Sequence, residues 1–372
     1  MPRILVRLLT GGAMLLLMLL TPVTGLAHAQ AQVFTVSSPT VSVFATGLNN
    51  PRGLHFGPDG NLYVAEGGLG GSNSTAGQCQ QVPPPVGPYT GSTTSGRISR
   101  ISPDGTRTTV VDNLPSAQTA LHEVSGVADV AFIGHRLYGL LAGAGCSHGV
   151  PSLPNGIIRL DSDQDEWKLI ADLSHFIMTH PVMNPNPGDF EPDGTWYSMV
   201  EVHGELYALE PNHGELDKIE PDGEISRVAD ISASEGHIVP TAVAFHNGNF
   251  YVGNLNRFPI HDGSSKILKI TPTGQVSTFV SGLTTVLGVA FCKGQLYALE
   301  NTVGHPFPTP GAGMVVRVTG SGTLETVVSG LTLPTGMTFG PDGKLYVSTF
   351  GLGFGPGMGQ VESIDLGIGN CD

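Results

Sequence analysis

The chain has 372 residues, 40% of them hydrophobic and only 13% charged, with 52 glycines, 28 prolines and a formal net charge of −14. An acidic chain without a basic stripe is a poor partner for nucleic acid or for an anionic membrane surface, and its acidity suits solubility outside the cell. So many turn formers among β-branched and aromatic residues argue for an all-β protein of many short strands, read as one large domain.

Residues 1–29 stand apart. Arg3 and Arg7 precede the apolar run Leu8 to Leu20, and Ala27-His28-Ala29 puts small residues at the two positions a signal peptidase reads. This predicts a secretory signal cleaved near Ala29. The run is broken by Gly11, Gly12 and Pro22 and is short for a span. No cysteine sits at the cleavage point to take a lipid, so the mature chain is expected without a membrane anchor, secreted or periplasmic, and monomeric. A short segment, 30–40, leads into the body of the protein, 41–367, and a tail, 368–372, ends it.

Val41 to Ala45 reads as a strand with no hairpin ahead of it. Pro51 to Ala65, PRGLHFGPDGNLYVA, is a strand, a Gly-Pro-Asp-Gly turn and a second strand, and the pattern returns as PTGMTFGPDGKLYVS from Pro334 to Ser348. Weaker copies lie between, marked by Leu137-Tyr138, Leu206-Tyr207, Phe250-Tyr251 and Leu296-Tyr297. A third strand follows each hairpin, at Arg97 to Ile101, Ile157 to Leu160, Glu215 to Ile219, Lys266 to Ile270, Met314 to Val318 and Gln360 to Ile364. Outer strands such as Thr108 to Val111, Val276 to Val280 and Glu325 to Val328 complete the units. Four antiparallel strands, a to d, repeated about every 40–50 residues predict a β-propeller.

The sixth unit lacks a strand d and the chain begins with a spare one. Val41 to Ala45 is therefore expected to complete the last blade of a six-bladed ring, which leaves no open sheet edge. On this map the a-to-b turns are short. The b-to-c loops are long, at Gly67 to Ser95, Gly139 to Asn155, Gly253 to Ser265, Asn301 to Gly313 and Phe350 to Gly359. Length gathered on one face is expected where that face binds a small molecule or a protein.

The signal peptide, the opening Pro51-Arg52-Gly53-Leu54-His55-Phe56-Gly57-Pro58-Asp59-Gly60 and the Gly/Pro-rich loop with Cys79 resemble the ScyD/ScyE proteins. So do Val239-Pro240-Thr241-Ala242-Val243-Ala244 and Phe258-Pro259-Ile260. These secreted proteins, named for the scytonemin pigment clusters of cyanobacteria, are related more distantly to NHL-repeat propellers. The resemblance covers essentially the whole mature chain and implies a fold and an export route, with no established reaction.

Four cysteines, Cys79, Cys146, Cys292 and Cys371, allow three pairings in an exported protein. Cys79 and Cys146 fall in the b-to-c loops of neighbouring blades. Cys292, in the a-to-b turn of blade five, and Cys371, after the last strand c, fall on the opposite face. The map predicts Cys79–Cys146 and Cys292–Cys371.

Strand b closes on Glu66, Leu141, Glu210, Asn254, Glu300 and Thr349 in turn. Glu66, Glu210, Asn254 and Glu300, at equivalent places in a ring, are the oxygen donors that Ca²⁺ would require if they converge at the channel mouth, as in a metal-assisted lactonase. The alternative role of such a residue is to cap the turn that follows through backbone hydrogen bonds. Arg52, His122, Glu123, Trp196 and His237 lie on or near d-to-a connections of the same face. Arg52 offers a planar fork to an anion, and His122, Glu123 and His237 offer acid–base groups. No nucleophile motif or metal-ligand spacing accompanies them, which favours a binding or scaffold protein over a hydrolase.

Overall fold

The computed structural model describes residues 39–161, 166–304, 306–320 and 322–371. The predicted signal peptide, nearly all of the 30–40 segment and Asp372 lie outside the described residues. Among the described residues no helix is long and apolar enough to cross a membrane.

Six antiparallel sheets follow one another around a ring. Blade one runs Pro51–Phe56, Leu62–Glu66, Thr90–Ile101 and Arg107–Gln118, with a short fifth strand, Val124–Ser125. Blade two is Val127–Ile133, Arg136–Leu141, Gly156–Asp161 and Glu166–Asp172. Blade three is Ser198–Val202, Glu205–Glu210, Glu215–Ile219 and Ile225–Asp230. Blade four is Pro240–His246, Asn249–Asn254, Ser265–Ile270 and Val276–Leu283. Blade five is Val286–Cys292, Gln295–Glu300, Gly313–Val318 and Leu324–Leu331. Blade six takes Gly336–Phe339, Leu345–Thr349 and Gly359–Asp365 from the end of the chain and its outer strand, Thr40–Leu48, from the beginning.

That outer strand closes the ring. It pairs antiparallel with Gly359–Asp365, Val41 opposite Ile364 and Thr46 opposite Gln360. Asn50 then ties the seam, its amide donating to the carbonyls of Gly68 and Phe354 and its carbonyl accepting from Phe354 N at 2.7 Å. Strand a of each blade packs against strand a of the next, and blade six against blade one.

The core consists of six apolar layers, one between each pair of neighbouring blades. A blade therefore buries both faces, and its inner strands read as continuous apolar runs. In blade four Leu268 turns toward blade three, while its neighbour Ile267 turns toward blade five. Interdigitation of two inner faces at this spacing is the packing of a sheet sandwich, repeated around an axis.

Three features of the strands differ from the sequence map. Strand c of blade one begins at Thr90, so the expected loop Gly67 to Ser95 is strand over its last six residues. Its strand d runs on to Gln118, and the two pair as far as Thr90 opposite Gln118. Three outer strands run on past their expected ends, through Thr46-Gly47-Leu48, Ser281-Gly282-Leu283 and Ser329-Gly330-Leu331, each with a bulge. Leu283 and Ser281 face consecutive residues Ser265 and Lys266, and the intervening Gly282 takes φ +94°. The bulge needs that backbone conformation, and it turns the following leucine, fully buried at Leu48 and Leu283, into the core.

Two short helices, Leu173–Thr179 and Ile231–Glu235, start the connections into blades three and four. Asp172 and Asp230 cap them, each accepting from the backbone N–H three residues on. The disulfides are Cys79–Cys146 and Cys292–Cys371, as the blade map predicts, and no free cysteine remains. Two such bonds belong to an oxidising, extracellular or periplasmic environment.

Candidate functional site

The long connections of one face surround a pocket of about 170 Å³ at the mouth of the central channel. Blades one and two supply Arg52, Glu123, Ala128 and Ala142, and the connection into blade three supplies Asp189, Glu191, Trp196 and Tyr197. The opposite wall is apolar, built from Val239, Leu255, Phe258, Leu287, Phe307 and Leu352. Phe258 and Phe307, from the b-to-c loops of blades four and five, meet edge to face at 5.0 Å, and Phe258 is 55% exposed at the rim.

Tyr197 forms the floor. It enters blade three, and its phenol donates to the carbonyl of Thr335, at the entry to blade six on the far side of the ring, at 3.1 Å. The Arg52 guanidinium lies 5.7 Å from the centre of its ring and donates to the Val124 carbonyl. Burial raises the Tyr197 pKa, offset in part by Arg52. Below the ring the channel continues as a second cavity of about 220 Å³, lined by strand-a residues such as Leu54, Val130, Met199 and Val289. Asp129 lies along that cavity and accepts from Val130 N and Met199 N at 2.9 and 2.8 Å, joining blades two and three. Burial outweighs these bonds and pushes its carboxyl up to about 7.

The wall on the side of blades one to three is held by a buried chain of polar groups. Tyr89 donates to Glu191 Oε1 at 2.6 Å, and Glu191 Oε2 lies 3.3 Å from His148 Nε2. His148 packs edge to face on Tyr89 at 4.8 Å, and Ser147 next to it donates to Asp193 at 2.6 Å. The Cys79–Cys146 bond links the two loops that carry Tyr89 and His148. Thr75 Oγ1 donates to the Cys146 carbonyl, and Asn73 Nδ2 to that of Gly149. Burial, with the neighbouring Glu191, raises the Tyr89 pKa well above its ordinary value. Burial also raises the Glu123 carboxyl, partly offset by Arg52 and reinforced by Glu191.

Of the residues singled out from the sequence, Arg52, Glu123 and Trp196 line this pocket. His237 stands behind it, paired through Nε2 with Asp189 Oδ2 at 2.8 Å. His122 is an exposed turn residue outside the lining, with φ +66°. Tyr89, His148, Glu191 and Tyr197 escaped the sequence reading.

Glu66, Glu210, Asn254 and Glu300 are not brought together. Each engages the connection that leads into its own blade: Glu66 accepts from Asn49 N, Glu210 from Thr195 N, Glu300 from Thr284 N, and Asn254 donates to Ile238 O. Glu66 also takes Arg97 and Ser99, and Asn254 accepts from Lys266 N at 2.8 Å. With their donor atoms committed to separate turns, these four do not fit one shared ion. Among the described residues no three His, Cys, Asp or Glu side chains stand where one metal ion would be held.

Fold and pocket define a six-bladed β-propeller with a loop-walled cavity at one end of its channel. No family model and no curated protein matches the sequence. Solved structures of similar fold include a protein of Thermus thermophilus described as a putative oxidoreductase (glucose dehydrogenase), at TM-score 0.56 and 16% identity, covering 88% of this chain and 100% of that one. A gluconolactonase of Xanthomonas campestris matches at TM-score 0.53 and 14% identity, over 88% and 89% of the two chains. A luciferin-regenerating enzyme matches at 0.54 and 11%, over 90% and 97%. At these identities the likeness is one of fold.

Proposed function

We propose that this protein is a secreted binding propeller that holds a small extracellular molecule in the pocket above Tyr197. The observation that carries the reading is the form of that pocket. Five or more loops from one face converge on it, a phenol closes it beneath, and its lining sets an apolar wall against a few placed polar groups, the composition of a small-molecule site. Export and the resemblance to ScyD/ScyE proteins support the same reading. The test is calorimetric titration with a neutral probe, tryptophol, against the native protein and Leu255→Trp, which fills the apolar side. Saturable binding lost in the variant is expected; binding unchanged by it contradicts the pocket.

A lactonase is the second reading, favoured by Glu123, a carboxyl raised by burial beside Arg52 and open to the pocket. One of the neighbours of similar fold is a gluconolactonase. On this reading Glu123 takes a proton from water attacking the lactone carbonyl and returns it to the ring oxygen as the ring C–O bond breaks, giving the open hydroxy acid. Glucono-lactone opening followed in a pH-stat, with and without Ca²⁺, decides it. Turnover lost in Glu123→Gln supports the hydrolase, and no turnover under either condition removes it.

A further inference from the structure

Most of the donors around the pocket are engaged within the protein. Around the lining, Arg52 donates to Val124 O, Tyr89 to Glu191 and Tyr197 to Thr335 O. The Asn212 amide donates to Asp189 O, Thr241 Oγ1 to Val286 O, and the Asn301 amide to Pro334 O. Trp196 Nε1 is a buried donor of the lining without a hydrogen-bond partner. Also buried without a hydrogen bond are two acceptors, Asn301 Oδ1 and Glu191 Oε2 (the latter 3.3 Å from His148 Nε2), and the Ser125 hydroxyl. An unpaired buried acceptor is costly, and a ligand N–H or O–H relieves it.

Charge and ring content narrow the class. Glu123, Asp189 and Glu191 face Arg52 and Arg257 in the lining. Arg52 is already turned onto Tyr197 and Val124, and Arg257 is exposed at the rim. The rings of Tyr89, Trp196, Tyr197, Phe258 and Phe307 supply π-faces and edges around the carboxylates. Carboxylates among aromatic rings, on a chain with net charge −14, attract a cation and repel an anion.

Resting on the pocket assignment above, we infer that the ligand is an organic cation, an amine or quaternary ammonium on a flat apolar body. The body lies against Phe258, Phe307 and Leu255, and the cationic end points toward Glu191 and Glu123. Arg52 acts in this site as a positioning residue that holds Tyr197 in place.

The experiment is calorimetric titration of the full mature chain with three indoles of similar size, tryptamine, tryptophol and indole-3-propionate, as cation, neutral and anion. Tryptamine is expected to bind at least about tenfold tighter than tryptophol, with the propionate weakest, since each tenfold is about 1.4 kcal/mol. Glu191→Gln should lose most of that preference, read as the ratio of tryptamine to tryptophol affinity within the variant. Glu191 also contacts Tyr89 and His148, so Glu123→Gln, outside that chain, serves as the second variant and should lower the same ratio. Equal binding of tryptamine and tryptophol, or tighter binding of the propionate, overturns the cation class and leaves the pocket standing. No binding of any of the three overturns both.

Discussion

The Tyr197 phenol and the Thr335 carbonyl, 3.1 Å apart, join the entries of the third and sixth blades directly across the ring. Tyr197 and Leu287 line both the upper pocket and the lower cavity and divide the channel between them. Tyr197→Phe removes one hydrogen bond and is expected to lower stability by about 1 kcal/mol while keeping the floor. Tyr197→Ala merges the cavities and should weaken tryptamine about tenfold or more. Calorimetric melting and titration of the pair separate the bond from the ring; equal affinities in both variants would show that the floor plays no part in binding.

The two disulfides should differ in effect. Cys79–Cys146 ties the loops that carry Tyr89 and His148, whereas Cys292–Cys371 anchors the tail beside blade five. Closing a loop of this size stabilises by about 2–4 kcal/mol, so both double-serine variants should melt earlier. Only Cys79→Ser with Cys146→Ser should also weaken ligand binding. The comparison fails if the Cys292–Cys371 variant weakens it equally.

Stability should fall as pH rises through neutrality. Asp129, Glu215 and Glu300 are each pushed up to about 7 by burial, and burial also raises Asp217 well above its ordinary value, with neither carboxylate oxygen hydrogen-bonded. Between the ordinary carboxyl value near 4 and about 7 the folded state binds more protons than the unfolded one, so unfolding free energy decreases with pH across that window. Asp217 and Glu215 share one face of their strand; of the two, Arg227 bonds Glu215, and it donates as well to the His180 and Pro181 carbonyls. Asp217→Asn removes the buried charge and should raise stability at pH 8 by on the order of 2 kcal/mol, with little change at pH 4.5. Melting curves at the two pH values check this, and an equal gain at both would exclude charge as the cause.

Ring closure by the first strand predicts that deleting Thr40–Leu48 exposes Gly359–Asp365 as an edge. The shortened mature chain should melt well below the full one and associate on concentration. A monomer of unchanged melting temperature would mean that this strand adds nothing to the ring.

The repeat made the fold legible. The Gly-Pro-Asp-Gly hairpins at Gly57 and Gly340 mark the inner strand pairs of blades one and six, the Leu-Tyr copies mark those between, and a spare leading strand with a missing last one requires closure. From the blade map the cystine partners followed. The pocket was only partly legible, because a propeller's loops take their paths from contacts between blades rather than from local propensity. Arg52 and Trp196 adjoin strands and stood out, whereas Tyr89 reaches Glu191 across 102 residues of sequence. Glu191-Pro192-Asp193-Gly194 repeats the hairpin turn chemistry, with Gly194 N bonded to Glu191 O at 3.0 Å, yet it lies on a connection between blades and opens the wall of the pocket. Acidic residues clustered with Trp196 and Tyr197 just before a strand a were the available signal. For Glu66, Glu210, Asn254 and Glu300, ring equivalence was read correctly, but side-chain direction was not: each turns back to the connection entering its own blade.

A crystal structure of the mature protein soaked with tryptamine gives the plainest answer. Density for the indole between Leu255 and the Phe258–Phe307 pair, its amine within hydrogen-bond distance of Glu191 or Glu123 and the Tyr197–Thr335 bond intact beneath, is the expected result. Indole density in the lower cavity or on the short-turn face, with the upper pocket holding only solvent, would contradict it.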